Sequence, residues 1–156
     1  MDNEKGDYVG KICCGFGHRR ITDRELADKL YETICALIKY EGVCEFIAGG
    51  MGDFDTYYCE AVRKVKREYR NINLTLVEPY FSNKLNRDKA YYELYYDGII
   101  IPEEILGCYP KAAIKKRNLW MIDRSDFVIS YVRNDKGGAY TAQKYAKMKN
   151  KTIIFL

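Results

Sequence analysis

The chain has 156 residues, 47% of them apolar and 31% charged, which is enough apolar material for one continuous core and excludes a disordered chain or a collagen-like repeat. Its longest unbroken apolar run, Ile34 to Ile38, falls far short of the roughly 20 residues that a membrane-crossing helix needs, so no membrane partner is expected. Lys and Arg number 26 against 22 Asp and Glu, and the resulting charge of +4 gives a mild bias toward anionic ligands.

Residues 1–8 are mostly polar or charged and lack the apolar block of a secretory signal, so the expected compartment is the cytoplasm and residues 1–7 read as a loosely held N-terminus. The six cysteines, at 13, 14, 35, 44, 59 and 108, form no C-x-x-C pair and are expected to be reduced and structural. His18 is the only histidine and the cysteine spacing matches no ligand set, so neither a metal site nor a cofactor is expected.

Short β-rich apolar runs alternate with amphipathic stretches along the chain. Tyr8–Cys14, running into Gly15, reads as a first strand. Thr22 and Glu25 have the spacing of a capping box, with Ile21 set to staple onto Leu26, and start a helix over 23–41 whose apolar residues recur at Leu26, Leu30, Ile34, Leu37 and Ile38 before Gly42 ends it. Val43–Ala48 reads as a second strand and 54–70 as a second helix with Phe54, Tyr58, Ala61, Val62, Val65 and Tyr69 buried. Ile72–Val77 alternates as a third strand. Residues 79–108 hold a short helix near 87–96, and Gly98–Pro102 has no clear form. A helix from Pro110 to about Arg124, a strand at Asp126–Val132, a turn at Asn134–Gly138, a helix at 139–149 and a strand at 152–156 complete the chain. This order predicts a single-domain α/β Rossmann-like three-layer sandwich, its mostly parallel sheet of about five strands in the order 3-2-1-4-5.

In such a sheet ligands sit beyond the carboxyl ends of the strands. The turns there are Gly15-Phe16-Gly17-His18-Arg19-Arg20, Gly49-Gly50-Met51-Gly52-Asp53 and the segment with Gly137-Gly138, which together hold seven of the twelve glycines. Glycine lets a phosphate approach backbone N–H groups, and a helix opening after each turn adds donors and a positive dipole end. Tight βα turns use glycine for purely structural reasons too. The sequence lacks G-x-G-x-x-G, since position 20 is Arg, and it has no P-loop, so neither a standard NAD enzyme nor a P-loop NTPase is expected.

Four separated strings, Cys14-Gly15-Phe16-Gly17-His18-Arg19, Ile47 to Asp55, Arg117 to Asp126, and Gly137-Gly138-Ala139-Tyr140-Thr141, resemble the YpsA-like branch of the SLOG superfamily in the right order. The resemblance covers about residues 9–156. It implies a Rossmann-like fold whose glycine loops hold nucleotides or nucleotide-derived molecules; relatives include sensing domains of antiphage systems, the DNA-processing protein A family and the Lonely Guy phosphoribohydrolases. Activity differs among these branches. The phosphoribohydrolase loop P-G-G-x-G-T-x-x-E is matched here only in part: Thr141 fits, but Tyr140 replaces the third glycine and Lys144 the glutamate, which disfavours that route of cleavage.

Several residues are weighed against ordinary structural roles. His18 is a proton donor to a leaving group, or else caps a helix or points to solvent, and Arg19 is a bidentate phosphate clamp. Asp53 and Asp55 hold ribose hydroxyls or act as base, or else Asp53 caps the second helix. Asp123 and Asp126 are read as corner-locking residues, with an arginine as partner. Fifteen tyrosines include pairs at 57-58, 91-92 and 95-96, whose i,i+4 alignment over 91–96 offers more aromatic surface than one buried face uses and suits a homodimer interface or a nucleobase.

The expected partner is therefore a phosphate-bearing, nucleotide-derived small molecule such as an ADP-ribose-like compound, bound by Gly15, Gly17, His18, Arg19, Gly49, Gly50, Gly52, Asp53, Gly137, Gly138 and Thr141, by a protein that senses or sequesters it. One alternative is an enzyme cleaving or transferring N-glycosidic bonds, with Asp53, Asp55 or Glu60 as nucleophile or base and His18 as acid. The other is single-stranded nucleic-acid binding through basic helix faces and tyrosines, ranked last at a charge of +4.

Overall fold

The computed structural model describes residues 10–156; the expected loose N-terminus and the start of the first strand at Tyr8 and Val9 lie outside them. Six parallel strands, β1 (Lys11–Gly17), β2 (Val43–Ala48), β3 (Asn73–Val77), β4 (Gly98–Ile100), β5 (Phe127–Tyr131) and β6 (Thr152–Phe155), form one sheet in the order β4-β3-β2-β1-β5-β6. The expected order is thus present with one correction: Gly98–Ile100 adds a sixth strand outside β3. Three residues beside Pro102 give too short a period to be read as a strand, and the hydrogen bond from Glu78 N to Ile100 O (2.8 Å) closes this pairing.

The helices are α1 (Leu26–Glu41), α2 (Gly52–Lys66), α3 (Asn83–Arg87), α4 (Lys89–Tyr95), α5 (Pro110–Arg124) and α6 (Gly137–Met148). Successive strand residues point to opposite faces, so both faces are buried. Cys13, Phe46, Leu74 and Ile129 join α1 and α2 in one core; Cys14, Ile47 and Val128 join Met121, Ile122, Ala142 and Ala146 of α5 and α6 in the other. The start of α1 departs from the capping box: Asp23 Oδ1, not Thr22, accepts the N–H of Glu25 at 2.9 Å. The tyrosines of α4 divide, because Tyr92 is buried and Tyr96 packs on the first core, whereas Tyr91 and Tyr95 stay exposed.

The first strand runs farther than its β-branched residues suggest, so Gly15 and Gly17 belong to β1 and pair with Ile129 and Tyr131 of β5. Their bareness admits α2. A Cβ on Gly15 would lie 2.9 Å from Phe54 Cε1, and one on Gly17 2.3 Å from Phe54 Cδ2, while the Tyr58 hydroxyl donates to Cys13 O at 3.1 Å. These two glycines set the distance between α2 and the sheet. Replacing Gly17 with Ala forces the Phe54 ring aside and should cost about 1–3 kcal/mol of stability, read as a lower midpoint of urea unfolding; an unchanged midpoint contradicts this packing role.

Candidate functional site

A cavity of about 410 Å³ lies at the carboxyl ends of β1 and β2, between the α2 corner and the N-terminal halves of α5 and α6. Of the residues expected from the sequence, Gly15, Gly17, His18, Arg19, Gly49, Asp55, Gly137 and Gly138 line it; Gly50, Gly52, Asp53 and Thr141 do not. The three glycine turns converge, but they differ in what they leave open.

The turn into α2 is closed by the protein itself. The first N–H groups of this helix are taken, Asp53 N by Arg19 O (2.9 Å) and Phe54 N by His18 O (3.3 Å), and Met51 N donates to Asp55 Oδ2 at 2.7 Å. Gly52, at φ +87°, brings its backbone within van der Waals reach of Arg19, where a Cβ would meet Arg19 Cα at 2.9 Å. A Cβ on Gly50 would lie 2.7 Å from Leu76 Cδ1. Asp53 does not cap its own helix. Its Oδ2 accepts Ile21 N at 2.8 Å and thereby fixes the β1–α1 loop. His18 is similarly engaged: Nε2 accepts the Arg133 N–H at 2.7 Å, which ties the end of β1 to the segment after β5 and places the ring proton of a neutral imidazole on Nδ1.

The turn into α6 is the open one. Among the described residues no side chain caps this helix, and a Cβ on Gly137 (φ +89°) or on Gly138 would meet none of their atoms within 4 Å. The Gly137, Gly138 and Ala139 amides, which a helix cannot satisfy from within, have no hydrogen-bond acceptor among the described residues, and all three residues line the cavity. Thr141 sits one turn on, donating its hydroxyl to Gly137 O at 3.0 Å.

The residue that organises the cavity floor is Arg117, which the sequence reading treated as part of a structural corner. Only 2% of it is exposed. Its Nη1 donates to Gly49 O (3.0 Å) and Val77 O (2.8 Å), joining the carboxyl ends of β2 and β3, and its Nε donates to Asn118 Oδ1 (2.9 Å). The remaining terminal nitrogen, Nη2, has as its partner the weakly accepting sulfur of Met51 at 3.6 Å. Gly49 is the position that makes room, since a Cβ there would stand 3.0 Å from the guanidinium carbon. Among the described residues no carboxylate forms an ion pair with Arg117.

The charge is balanced at longer range. Burial pulls the Arg117 guanidinium below its usual range, while Asp55 and Glu78 act in the opposite direction. Burial also pushes the Asp55 carboxyl up to about 6, with the Met51 N–H and Arg117 opposing, and raises Glu78 against Arg117 and Lys84. Asn118, Lys136 and Met51 also line the cavity and were missed together with Arg117. The signal for Arg117 was its spacing: Ala113, Arg117 and Met121 occupy one i,i+4 stripe of α5, and all three are buried.

The expected corner after α5 exists with other partners. Tyr145 donates to Asp123 Oδ1 at 2.7 Å, Ile12 N donates to Asp126 Oδ2 at 2.9 Å, and Arg124 pairs with Glu104. Among the described residues no group of three or more His, Cys, Asp and Glu is placed to hold a metal ion, and no helix is long and apolar enough to cross a membrane.

No family model matches the chain. It is 28% identical over 142 residues to the uncharacterized SPbeta prophage-derived protein YoqJ of Bacillus subtilis (strain 168), with 79% of this chain and 81% of that protein covered. Among solved structures it is similar to DNA processing protein A from Helicobacter pylori, described as binding single-stranded DNA (20% identity, TM-score 0.64, 94% of this chain and 65% of that one). It is similar also to DNA processing protein A from Streptococcus pneumoniae (15% identity, TM-score 0.68, 94% and 50%) and to TM1055 (16% identity, TM-score 0.59, 93% and 72%). The chain thus spans less than two thirds of either DNA processing protein. These likenesses establish the fold, a Rossmann-like α/β domain, which is the fold that the resemblance carried by the four sequence strings implies.

Proposed function

We propose that this cytosolic protein binds a phosphate-bearing, nucleotide-derived small molecule in the cleft between Arg117 and the N-terminus of α6, as a sensor or a sequestering protein. The observation that carries this reading is the Arg117 guanidinium: buried, without a paired carboxylate among the described residues, and bordering the same cavity as the open amides of Gly137, Gly138 and Ala139. A buried cation retains an unfavourable desolvation term unless a counter-charge joins it, and helix N-terminal amides favour the same guest. Phosphate supplies both a charge and several acceptors.

The N-glycosidase alternative has less support than the sequence suggested. Asp53 is bonded to Ile21, the Nε2 of His18 is occupied by Arg133, and Glu60 lies outside the cavity. Asp55 is the remaining candidate for a general acid or base, with its carboxyl raised to about 6 at the cavity wall. A second reading, single-stranded nucleic-acid binding, is favoured by a separate groove of about 430 Å³ between α1 and α2, where Tyr31, Tyr57 and Tyr95 stand beside Arg63, Lys64 and Arg67. The description of the Helicobacter relative as a single-stranded DNA binder is consistent with it. The exposed Tyr91 and Tyr95 with Leu94 also keep a homodimer interface as a proposal.

A panel of nucleotides should include at least one that raises the thermal unfolding midpoint, by an amount that grows with ligand concentration. Arg117→Lys keeps the charge but loses the forked donors, and should abolish that increase while retaining a cooperative transition. A panel without any stabilising member, or an undiminished increase in the Lys variant, contradicts the reading. Nucleic-acid binding instead predicts oligonucleotide affinity falling with salt, at a slope of about −0.7 per neutralised phosphate; a flat salt response removes it.

Asp55 adds a pH signature. Its folded carboxyl titrates at about 6 against an ordinary value of 3.8, so the folded state holds the extra proton between these values and stability is lost as pH rises from about 4 through 6. Compared with Asp55→Asn, the natural chain should lose up to about 3 kcal/mol of unfolding free energy between pH 4 and pH 7. Parallel stability profiles for the two proteins would show that Asp55 carries no such burden.

A further inference from the structure

The cleft continues past Arg117. A second groove of about 360 Å³ shares Arg19, Asn118 and Gly138 with the main cavity and adds Lys111 and Lys115 from successive turns of α5. Among the described residues no carboxylate lines this groove. Six ion pairs are formed among the described residues, and none of them engages Arg19, Lys111, Lys115 or Lys136.

The helix ends make the same point independently. α1 and α2 carry acidic residues in their first turns, Asp28 in one and Asp53 with Asp55 in the other, as the positive end of a helix dipole favours. α5 and α6 have none there; Lys111 occupies the first turn of α5 and Lys136 the cap position of α6. Both helices therefore bring cations to their own positive ends, an arrangement that an anion seated between them relieves. The other flank is of mixed charge: Asp55, Glu60 and Glu78 border a pocket of about 230 Å³ together with Arg63 and Lys84.

We propose that the groove between α5 and α6 is a second anion subsite, in which Lys111, Lys115 and Arg19 hold a further phosphoryl group of the ligand whose first phosphate lies at Arg117 and the α6 amides. This rests on the function proposed above and narrows it: the ligand is a small molecule with at least two linked phosphoryl groups. A chain of phosphates in a nucleotide and a free pyrophosphate present the same chemistry, and the two are separated by the probes used.

The test is calorimetric titration of the natural chain, Arg117→Lys and the double variant Lys111→Gln/Lys115→Gln with inorganic phosphate, inorganic pyrophosphate, AMP and ADP. Both lysines are exposed, so the double variant is expected to fold normally, which circular dichroism and its unfolding midpoint verify. The natural chain should bind pyrophosphate and ADP about tenfold or more tightly than phosphate and AMP, respectively. The double variant should lose that advantage and keep its affinity for phosphate and AMP, whereas Arg117→Lys should weaken all four. A gain for ADP without one for pyrophosphate still assigns the subsite, but to a nucleotide alone. Equal affinity for one and two phosphates in the natural chain, or an advantage that survives in the double variant, overturns the second subsite and leaves the first standing. Binding of none of the four overturns both. Oligonucleotide binding that the double variant loses, with no response to pyrophosphate, assigns the groove to a nucleic-acid strand and also overturns the proposal.

Discussion

One guanidinium holds the carboxyl edge of the sheet together. Arg117 reaches from α5, on one side of the sheet, to Gly49 O and Val77 O at the ends of β2 and β3. These are backbone acceptors at the point where the strands stop pairing and the chain turns away, so a buried donor there satisfies groups that water would otherwise have to reach. The same contact fixes the β2–α2 corner, whose own amides are consumed by Arg19 O, His18 O and Asp55. A cation so placed has carbonyl dipoles around it but no carboxylate paired with it. In the function proposed above, the structural clamp also serves as the anion receptor, and the cavity is the space left in front of it.

The rest of the site follows from that arrangement. Asp55 and Glu78 lie near enough to bias Arg117 electrostatically, yet burial drives both toward the protonated form. The competition of Asp55 for the cation therefore weakens as pH falls through about 6. On the other side, α6 begins without a cap and with two glycines whose space is empty. In the proposed function, charge from the floor and amide donors from the wall are complementary: the first attracts the anion and the second specifies its oxygens.

Much of the fold was legible in the sequence because its hydrophobic periods are long and clean. Val43–Ala48 and Pro110–Arg124 have the bounds their patterns indicate, and the buried stripe of α2 from Phe54 to Val65 is the expected one. β4 was not legible, since three residues do not establish a period. The glycine-rich turns were legible as a shared rim but not in their individual purposes. A glycine that admits a helix, as Gly15 and Gly17 do for Phe54, and a glycine that leaves an amide open, as Gly138 does, look the same in one dimension. Arg117 was hidden for a related reason. It ends a basic run, and only its register with Ala113 and Met121 distinguishes the inward-facing cation from its exposed neighbours Lys115 and Lys116.

Amide and side-chain resonances of the nitrogen-15-labelled protein, followed while ADP is added, test the central claim most directly. The account predicts concerted shifts at the Gly137, Gly138 and Ala139 amides and at Arg117 Nε, with the α1–α2 groove unaffected. Shifts confined to Tyr31, Tyr57 and Arg63, or a spectrum in which the Arg117 and α6 resonances do not move at saturating nucleotide, would contradict it.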